Sequence, residues 1–182
     1  MQVNFECQLQ KLGQEQYEHN RRTGALIRQL LEISGRGDLV AFWRLEEQGP
    51  CDYHDLGKRA GDLDPLSHCG RGAAIFTNAY AQALDGKERV FCSIASDLCQ
   101  YHHERWDGNG GPGHLAGEDI PVVARAGAVA DAWDHLIQEH PGVAPQILFE
   151  YMEKHSGTWY DPQMVDALRQ WIPSFIPGMP EE

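Results

Sequence analysis

The sequence predicts one all-α domain, and three observations support this. Apolar residues recur at helical spacing along most of the 182 residues, whereas no alternating apolar and polar run exceeds three or four residues. This length suits one domain with its own core. No repeat or internal linker marks a second domain. We therefore expect a single domain over 1–182, with its core over about 10–172 and a loose, proline-rich tail over 173–182.

Four helices are predicted in the first half of the chain. The first covers residues 10–33 and ends at the glycines that follow it. A short helix is predicted over 38–47 and stops at "EQGP". The third covers 65–84 and closes at "LDGK", and the fourth runs over 88–103. Each of these boundaries rests on a glycine or proline that interrupts the apolar period.

The second half of the chain predicts three more helices. A glycine-rich loop leads into a long helix over 117–140, with Glu118 and Asp119 at its positive end, where carboxylates are favoured. Two shorter helices follow over 145–155 and 161–172, joined by "SGTWY". The result is a helical bundle without a predicted strand.

The composition limits which binding partners and which cellular compartment are expected. A formal net charge of -12 argues against binding DNA or RNA, because phosphate neutralisation needs clustered Lys and Arg. An anionic substrate would need a local field of opposite sign, and bound metal ions are the usual means. No signal peptide or membrane span is predicted. Reduced thiols in a cytoplasm are expected, since the cysteines are odd in number and form no Cys-x-x-Cys pair: Cys7, Cys51, Cys69, Cys92 and Cys99.

Five of the nine histidines stand in patterns that suit metal binding. "YHDLGK" sets His54 beside Asp55, with His19 upstream and Asp131 far downstream. A mixed set of imidazole and carboxylate ligands suits iron, manganese, zinc or nickel. The remaining four are interpreted as ordinary hydrogen-bonding histidines: His114, His135, His140 and His155.

Asp131 lies within the apolar helix "VVARAGAVADAW". Burying an unpaired carboxylate costs several kcal/mol, so this position favours a cation. An arginine partner or an exposed helix face would explain the residue equally well, and the sequence leaves these alternatives open.

The adjacent pair His102 and His103 cannot both hide on one packed helix face, because successive helix residues point about 100° apart. They could instead converge on a metal cluster across the helix end, together with His68 from "PLSHCGRGAAIF". Glu15 stands four residues before His19, which places both side chains on one helix face.

Four motifs together resemble the HD-GYP domain, a branch of the HD phosphohydrolase superfamily: "HDLGK", "SHCGRGA", "HHERWDGNGGP" and "IPVVARAGAVADAWDHL". The resemblance extends over about 15–168, and the Asp that follows the second His of "HHERWDGNG" by 28 residues is its most specific part. It implies an all-α bundle of the HD type with two or three divalent ions, commonly Fe or Mn. It also implies hydrolysis of cyclic di-GMP to linear pGpG or GMP.

Matching positions carry the site residues. The resemblance implies eight metal ligands: Glu15, His19, His54, Asp55, His68, His102, His103 and Asp131. The superfamily's shared quartet is matched by His19, His54, Asp55 and Asp131. Asp55 would bridge to a second ion held by His68, His102 and His103, and Glu15 would accompany a third. The resemblance also implies that Asp55 and Lys58 are the catalytic residues, with Lys58 beside the scissile phosphate. It further implies that the substrate-binding residues are Lys58, Gly110, Gly111 and Pro112.

The sequence departs from this family in the part that contacts substrate. Gly111 replaces the tyrosine of Gly-Tyr-Pro, the segment between Asp55 and His68 is shorter, and "HLIQEHPGVAP" lacks the usual basic residue. Two alternatives therefore stay open. The chain could be an HD-type phosphohydrolase for another nucleotide phosphoester, or a catalytically weak, metal-bound protein that binds cyclic dinucleotides or docks to a partner. Homodimerisation and a signalling-protein partner are both left open.

Overall fold

The computed structural model describes residues 4–43 and 48–172, and over these ranges it is all-α as predicted. Its helices are α1 (Phe5–Gln10), α2 (Gln14–Ile33), α3 (Ser67–Gln82), α4 (Gly86–Tyr101), α5 (Val122–Glu139), α6 (Pro145–Lys154) and α7 (Pro162–Trp171). The described ranges contain no strand beyond an isolated bridge between Ser156 and Tyr160. Helices α3, α4, α6 and α7 match their predicted ends within two residues. The predicted tail over 173–182 lies outside the described residues.

The predicted helix over 10–33 corresponds to α2, which begins later, at Gln14, and the short helix α1 before it lies almost entirely outside the prediction. Gly13 adopts φ +99°, a conformation that L side chains rarely adopt, and it separates α1 from α2. Asn4 caps α1 by accepting a hydrogen bond from the backbone N–H of Cys7 at 2.9 Å. The 20-residue α2 is the central helix, and it packs against α5, α7 and the 3-10 helix Pro50–Tyr53.

The predicted helix over 38–47 is wrong over its described part. A 3-10 helix, Gly37–Leu39, is followed by turns in which the backbone N–H of Trp43 donates to the carbonyl of Val40 at 3.1 Å. Both Val40 and Trp43 are buried in the main core. Tertiary packing of these two side chains therefore overrides a weak local helical preference. Residues 44–47 of the predicted helix lie outside the described ranges.

The long helix predicted over 117–140 begins later than expected, at Val122. Pro121 disfavours helical backbone at the residue before it, and Ile120 is extended with ψ 126°. Glu118 and Asp119 therefore lie on a separate 3-10 helix, Gly117–Asp119, and not at the positive end of α5.

Two glycines allow close backbone contacts that fix the segment carrying "HDLGK". A Cβ on Gly24 of α2 would overlap Asp52 of the 3-10 helix, whose Cα lies 2.9 Å from that position. A Cβ on Gly57 would overlap the carbonyl of His68, at the start of α3. The segment is thereby held between α2 and α3. Within the described residues, no helix is long and apolar enough for a membrane span.

Candidate metal centre

Seven predicted ligands come together from five parts of the fold. These are α2 (His19), the turn after the 3-10 helix Pro50–Tyr53 (His54 and Asp55), the start of α3 (His68), the end of α4 (His102 and His103) and α5 (Asp131). Five of the seven side chains are buried: His19, His54, Asp55, His68 and His102. Residues far apart in sequence therefore form one buried polar cluster.

One side of this cluster contains His19, His54, Asp131 and the Oδ2 atom of Asp55, and we call it the carboxylate-rich half. The Nε2 atom of His19 lies 3.1 Å from Oδ1 of Asp131 and 3.1 Å from Nε2 of His54. The Nε2 atom of His54 lies 3.2 Å from Oδ2 of Asp55. These ligand atoms converge closely enough to share one ion.

The other side contains His68, His102, His103 and the Oδ1 atom of Asp55, and we call it the imidazole-rich half. The Nε2 atom of His68 lies 3.2 Å from Oδ1 of Asp55 and 3.2 Å from Nε2 of His102. The ring of His103 lies 4.1 Å from that of His102, centroid to centroid. Cys69, which the sequence did not mark as a ligand, brings its Sγ into this group.

Asp55 is placed between the two halves. Its Oδ2 faces His19 and His54, while its Oδ1 faces His68 and His102. Lys58, one turn along the chain, brings Nζ to 2.6 Å from Oδ2. A carboxylate in this position can bridge two cations, one through each oxygen.

The carboxylate-rich half attracts positive charge. Burial lowers the pKa of His19, but the carboxylates of Asp131, Asp134 and Asp55 outweigh it and raise that pKa to about 11. For Asp55, burial raises the pKa, yet the neighbouring histidines hold it well below its usual range. The same competition lowers the pKa of Asp131. The carboxylates of Asp55 and Asp131 therefore stay ionised in this half.

The imidazole-rich half behaves in the opposite way. Burial, together with the neighbouring His103 and His54, lowers the pKa of His102 to about 3. Burial also lowers the pKa of His103. Both rings are therefore neutral at physiological pH, which is the state that ligates metals.

Second contacts orient the ligands in each half. Asp134 accepts a hydrogen bond from Nδ1 of His19 at 2.7 Å, and Arg22 donates to both of its oxygens at 2.7 and 2.9 Å. In the other half, the Nδ1 of His102 lies 3.0 Å from the backbone carbonyl of Leu98, one turn earlier on α4. In both cases the partner occupies Nδ1 and leaves Nε2 facing the cluster, as metal-ligating histidines require.

The donor set fits a divalent ion. Oδ1 of Asp131 is buried and accepts no hydrogen bond, although Nε2 of His19 lies 3.1 Å away. A buried acceptor without a donor is costly. A proton on His19 could serve one oxygen, whereas a divalent ion would satisfy the nitrogen and oxygen lone pairs together.

Glu15 is placed differently from the other predicted ligands. Its side chain is exposed on α2, one turn before His19. The His, Cys, Asp and Glu groups found among the described residues do not include it. Its role beside a third ion stays a prediction.

The predicted substrate loop folds closely over the end of α4. The backbone N–H of Gly111 donates to the carbonyl of His103 at 3.3 Å, and a Cβ on Gly110 would overlap the backbone of Arg105. The buried carboxylate of Glu104, which the sequence did not mark, accepts hydrogen bonds from the N–H groups of Gly113 and Leu115. The loop therefore begins directly behind the imidazole-rich half, with Pro112 exposed.

Two further site residues were missed by sequence reasoning, both on α5. Asp134 holds His19, and His135 brings Nε2 to 3.5 Å from Oδ1 of Asp131. Their spacings of three and four residues from Asp131 place them on its helix face, which is a signal that the sequence contains. That signal gains meaning only when His19 is known to face α5.

Comparisons with known proteins identify a similar family, similar sequences and a similar fold. Residues 81–164 match the HD domain family, and the match contains His102, His103 and Asp131. The chain is 28% identical over 171 residues to a cyclic di-GMP phosphodiesterase of Thermotoga maritima, covering 84% of this chain and 44% of the relative. It is 37% identical over 125 residues to the cyclic di-GMP phosphodiesterase response regulator RpfG of Xanthomonas campestris pv. campestris, covering 63% and 33%. The chain thus spans less than half the length of these two relatives.

A solved structure supports the fold. The crystal structure of a cyclic GMP-AMP specific phosphodiesterase of V. cholerae, V-cGAP3, superposes with a TM-score of 0.63 at 16% identity. The superposition covers 94% of this chain and 49% of that one. The superposition supports the all-α fold, and residues 81–164 are similar to an HD domain, as the motifs predict.

Proposed function

We propose that this chain is a metal-dependent phosphodiesterase that hydrolyses cyclic di-GMP, or a related cyclic dinucleotide, to linear pGpG or GMP. The two curated relatives described above are named as cyclic di-GMP phosphodiesterases. The observation that carries the proposal is the position of Asp55, whose two oxygens face two separate groups of ligand atoms.

Two or three divalent ions, with Fe or Mn preferred, fit the nitrogen and oxygen donors of this site. His19, His54, Asp55 and Asp131 would hold the first ion, and His68, His102, His103 and Asp55 the second. Glu15 would accompany a third. Such ions supply an activated water near neutral pH and neutralise the charge that develops on a phosphoryl group.

The chain's own residues would bind and orient the phosphodiester. Lys58 is the cation closest to Asp55 in the described residues, and its side chain is 37% exposed. Its ammonium can therefore move from Oδ2 of Asp55 to a phosphate oxygen of an arriving substrate. Gly110, Gly111 and Pro112 would form the adjoining wall, in which Pro112 is exposed and Gly111 is buried beside Leu66.

The charge of the protein is consistent with an anionic substrate under this proposal. The net charge is -12, but the predicted ligands gather in one largely buried cluster. Bound dications would make the local field positive where the phosphate must approach.

The test is turnover by protein purified anaerobically and loaded with Fe or Mn. We expect conversion of cyclic di-GMP, or of 3′3′-cGAMP in a parallel assay, to linear products detected by chromatography. Asp55→Ala should abolish the conversion, whereas Asp38→Ala, which removes an exposed carboxylate away from the site, should not.

The same assay separates the alternatives. Similar rates on unrelated linear nucleotides would favour an HD-type phosphohydrolase of another substrate class. Full metal occupancy with tight cyclic dinucleotide binding and no product would contradict the proposed activity and favour a binding or docking protein.

A further inference from the structure

His135 occupies an unusual place for a histidine that the sequence marks as ordinary. It follows Asp131 by one turn of α5, and its Nε2 lies 3.5 Å from Oδ1 of that residue. Its ring is 4.9 Å from the ring of His19, centroid to centroid. The side chain is 53% exposed, in contrast to the buried His54 on the same cluster.

The three side chains His19, Asp131 and His135 bring one nitrogen or oxygen atom each to within 4.8 Å of one another. Two ligands at about 2.1 Å from one ion in tetrahedral geometry stand about 3.4 Å apart. The separations of 3.1 Å from Nε2 of His19 to Oδ1 of Asp131, and of 3.5 Å from that oxygen to His135, agree with such an ion.

The Oδ1 atom of Asp131 faces both histidines, and its surroundings favour a cation. Oδ1 of Asp131 is buried without accepting a hydrogen bond. Asp134 occupies Nδ1 of His19, so the Nε2 of that ring faces the same oxygen. His135 reaches this oxygen from the exposed side, where a metal ion and water can enter.

We propose that His135 is a further metal ligand, which binds the ion of the carboxylate-rich half from its exposed side, together with His19 and Asp131. This inference rests on the metal binding proposed above and is independent of the substrate. It gives the chain a nitrogen ligand at the mouth of the centre, whereas Glu15, the expected additional ligand, is exposed on α2 outside the groups found among the described residues.

Titration with Mn²⁺ alone tests the proposal, using calorimetry for affinity and electron paramagnetic resonance for the bound ion. His135→Ala should weaken one Mn²⁺ site at least about tenfold and alter its spectrum, while the remaining affinity is unchanged. His135→Asp, which keeps a ligand, should restore most of the affinity. His140→Ala is the matched control, because His140 is an exposed histidine at the end of the same helix.

The outcomes separate this proposal from the proposed function. Equal Mn²⁺ affinity and spectra in His135→Ala and the unaltered protein would overturn the role of His135 alone. A raised KM with unchanged Mn²⁺ binding would also overturn it and assign His135 to substrate contact. If the unaltered protein bound no ion, both proposals would fail, whereas metal binding without turnover would leave only the phosphodiesterase contradicted.

Discussion

The two halves of the metal centre share Asp55 but hold their ligands by different means. In the carboxylate-rich half, a side chain orients the ligand: Asp134 accepts a hydrogen bond from Nδ1 of His19 at 2.7 Å and is itself paired with Arg22. In the imidazole-rich half, the backbone orients the ligand, because Nδ1 of His102 faces carbonyl oxygens of its own helix.

The two halves also differ in charge. The carboxylate-rich half raises the pKa of His19 to about 11, since its carboxylates outweigh the effect of burial. The imidazole-rich half lowers the pKa of His102 to about 3, because burial and neighbouring imidazoles disfavour a further charge. One half therefore attracts an ion by charge and the other offers neutral lone pairs. Their ions should respond differently to substitution.

The largest effect is expected from Asp55→Asn, because Asp55 alone contributes to both halves. An amide keeps the size of the side chain but loses the charge and one acceptor oxygen, so it cannot bridge two ions. We expect both ions to be lost and the hydrolysis rate to fall at least about a thousandfold, which corresponds to about 4 kcal/mol of transition-state stabilisation. Metal per chain and kcat/KM on cyclic di-GMP are the measurements.

His102→Ala is the comparison for this experiment, since it removes a ligand from the imidazole-rich half alone. It should cost one ion and leave the other bound. Retention of a full complement of metal by Asp55→Asn would contradict the bridging position of this carboxylate.

A smaller effect is expected from Gly57→Ala, which acts on the imidazole-rich half through the backbone. The new Cβ would overlap the carbonyl of His68 and push α3 away from the "HDLGK" segment. Overpacking of this kind lowers the free energy of unfolding by about 1–3 kcal/mol. Denaturant unfolding measures it, and metal analysis should show weaker binding in the imidazole-rich half.

Gly70→Ala is the matched control on α3, because a Cβ there would meet no atom within 4 Å. Alanine is favoured over glycine in a helix by up to about 1 kcal/mol, so this variant should be as stable as the unaltered protein or more so. Equal stability of Gly57→Ala and Gly70→Ala would show that the close contact at Gly57 is unimportant.

Much of the fold could be predicted from local patterns, and the errors in that prediction have physical causes. Apolar periodicity located most helices, because their buried faces follow the helical repeat. The late start of α5 was readable from Pro121, which makes Ile120 extended. The non-helical path from Val40 to Trp43 was not readable, since it depends on a core formed by distant residues.

The candidate site likewise contains residues that the sequence could predict and residues that it could not. Its motifs located residues such as His54 and His102, because adjacent or spaced ligands leave a pattern in the sequence. They did not locate Asp134 or His135, whose roles depend on His19, more than 110 positions away on α2. Helical spacing shows which residues share a face of α5, but only the packing of α2 against α5 shows what that face meets.

The smallest effect is expected from Asp134→Asn, and it should separate the two halves most selectively. The amide oxygen can still accept from Nδ1 of His19, but the charge that supports the ligand and pairs with Arg22 is lost. Loss of the hydrogen-bond partner of a metal ligand lowers metal affinity about 10–100-fold. Because asparagine keeps the acceptor, we expect a loss of about tenfold in this variant. Mn²⁺ titration should show the loss in one site only. Equal weakening of both sites would mean that the halves are not independent, because His102 is oriented by backbone carbonyls that this substitution leaves in place.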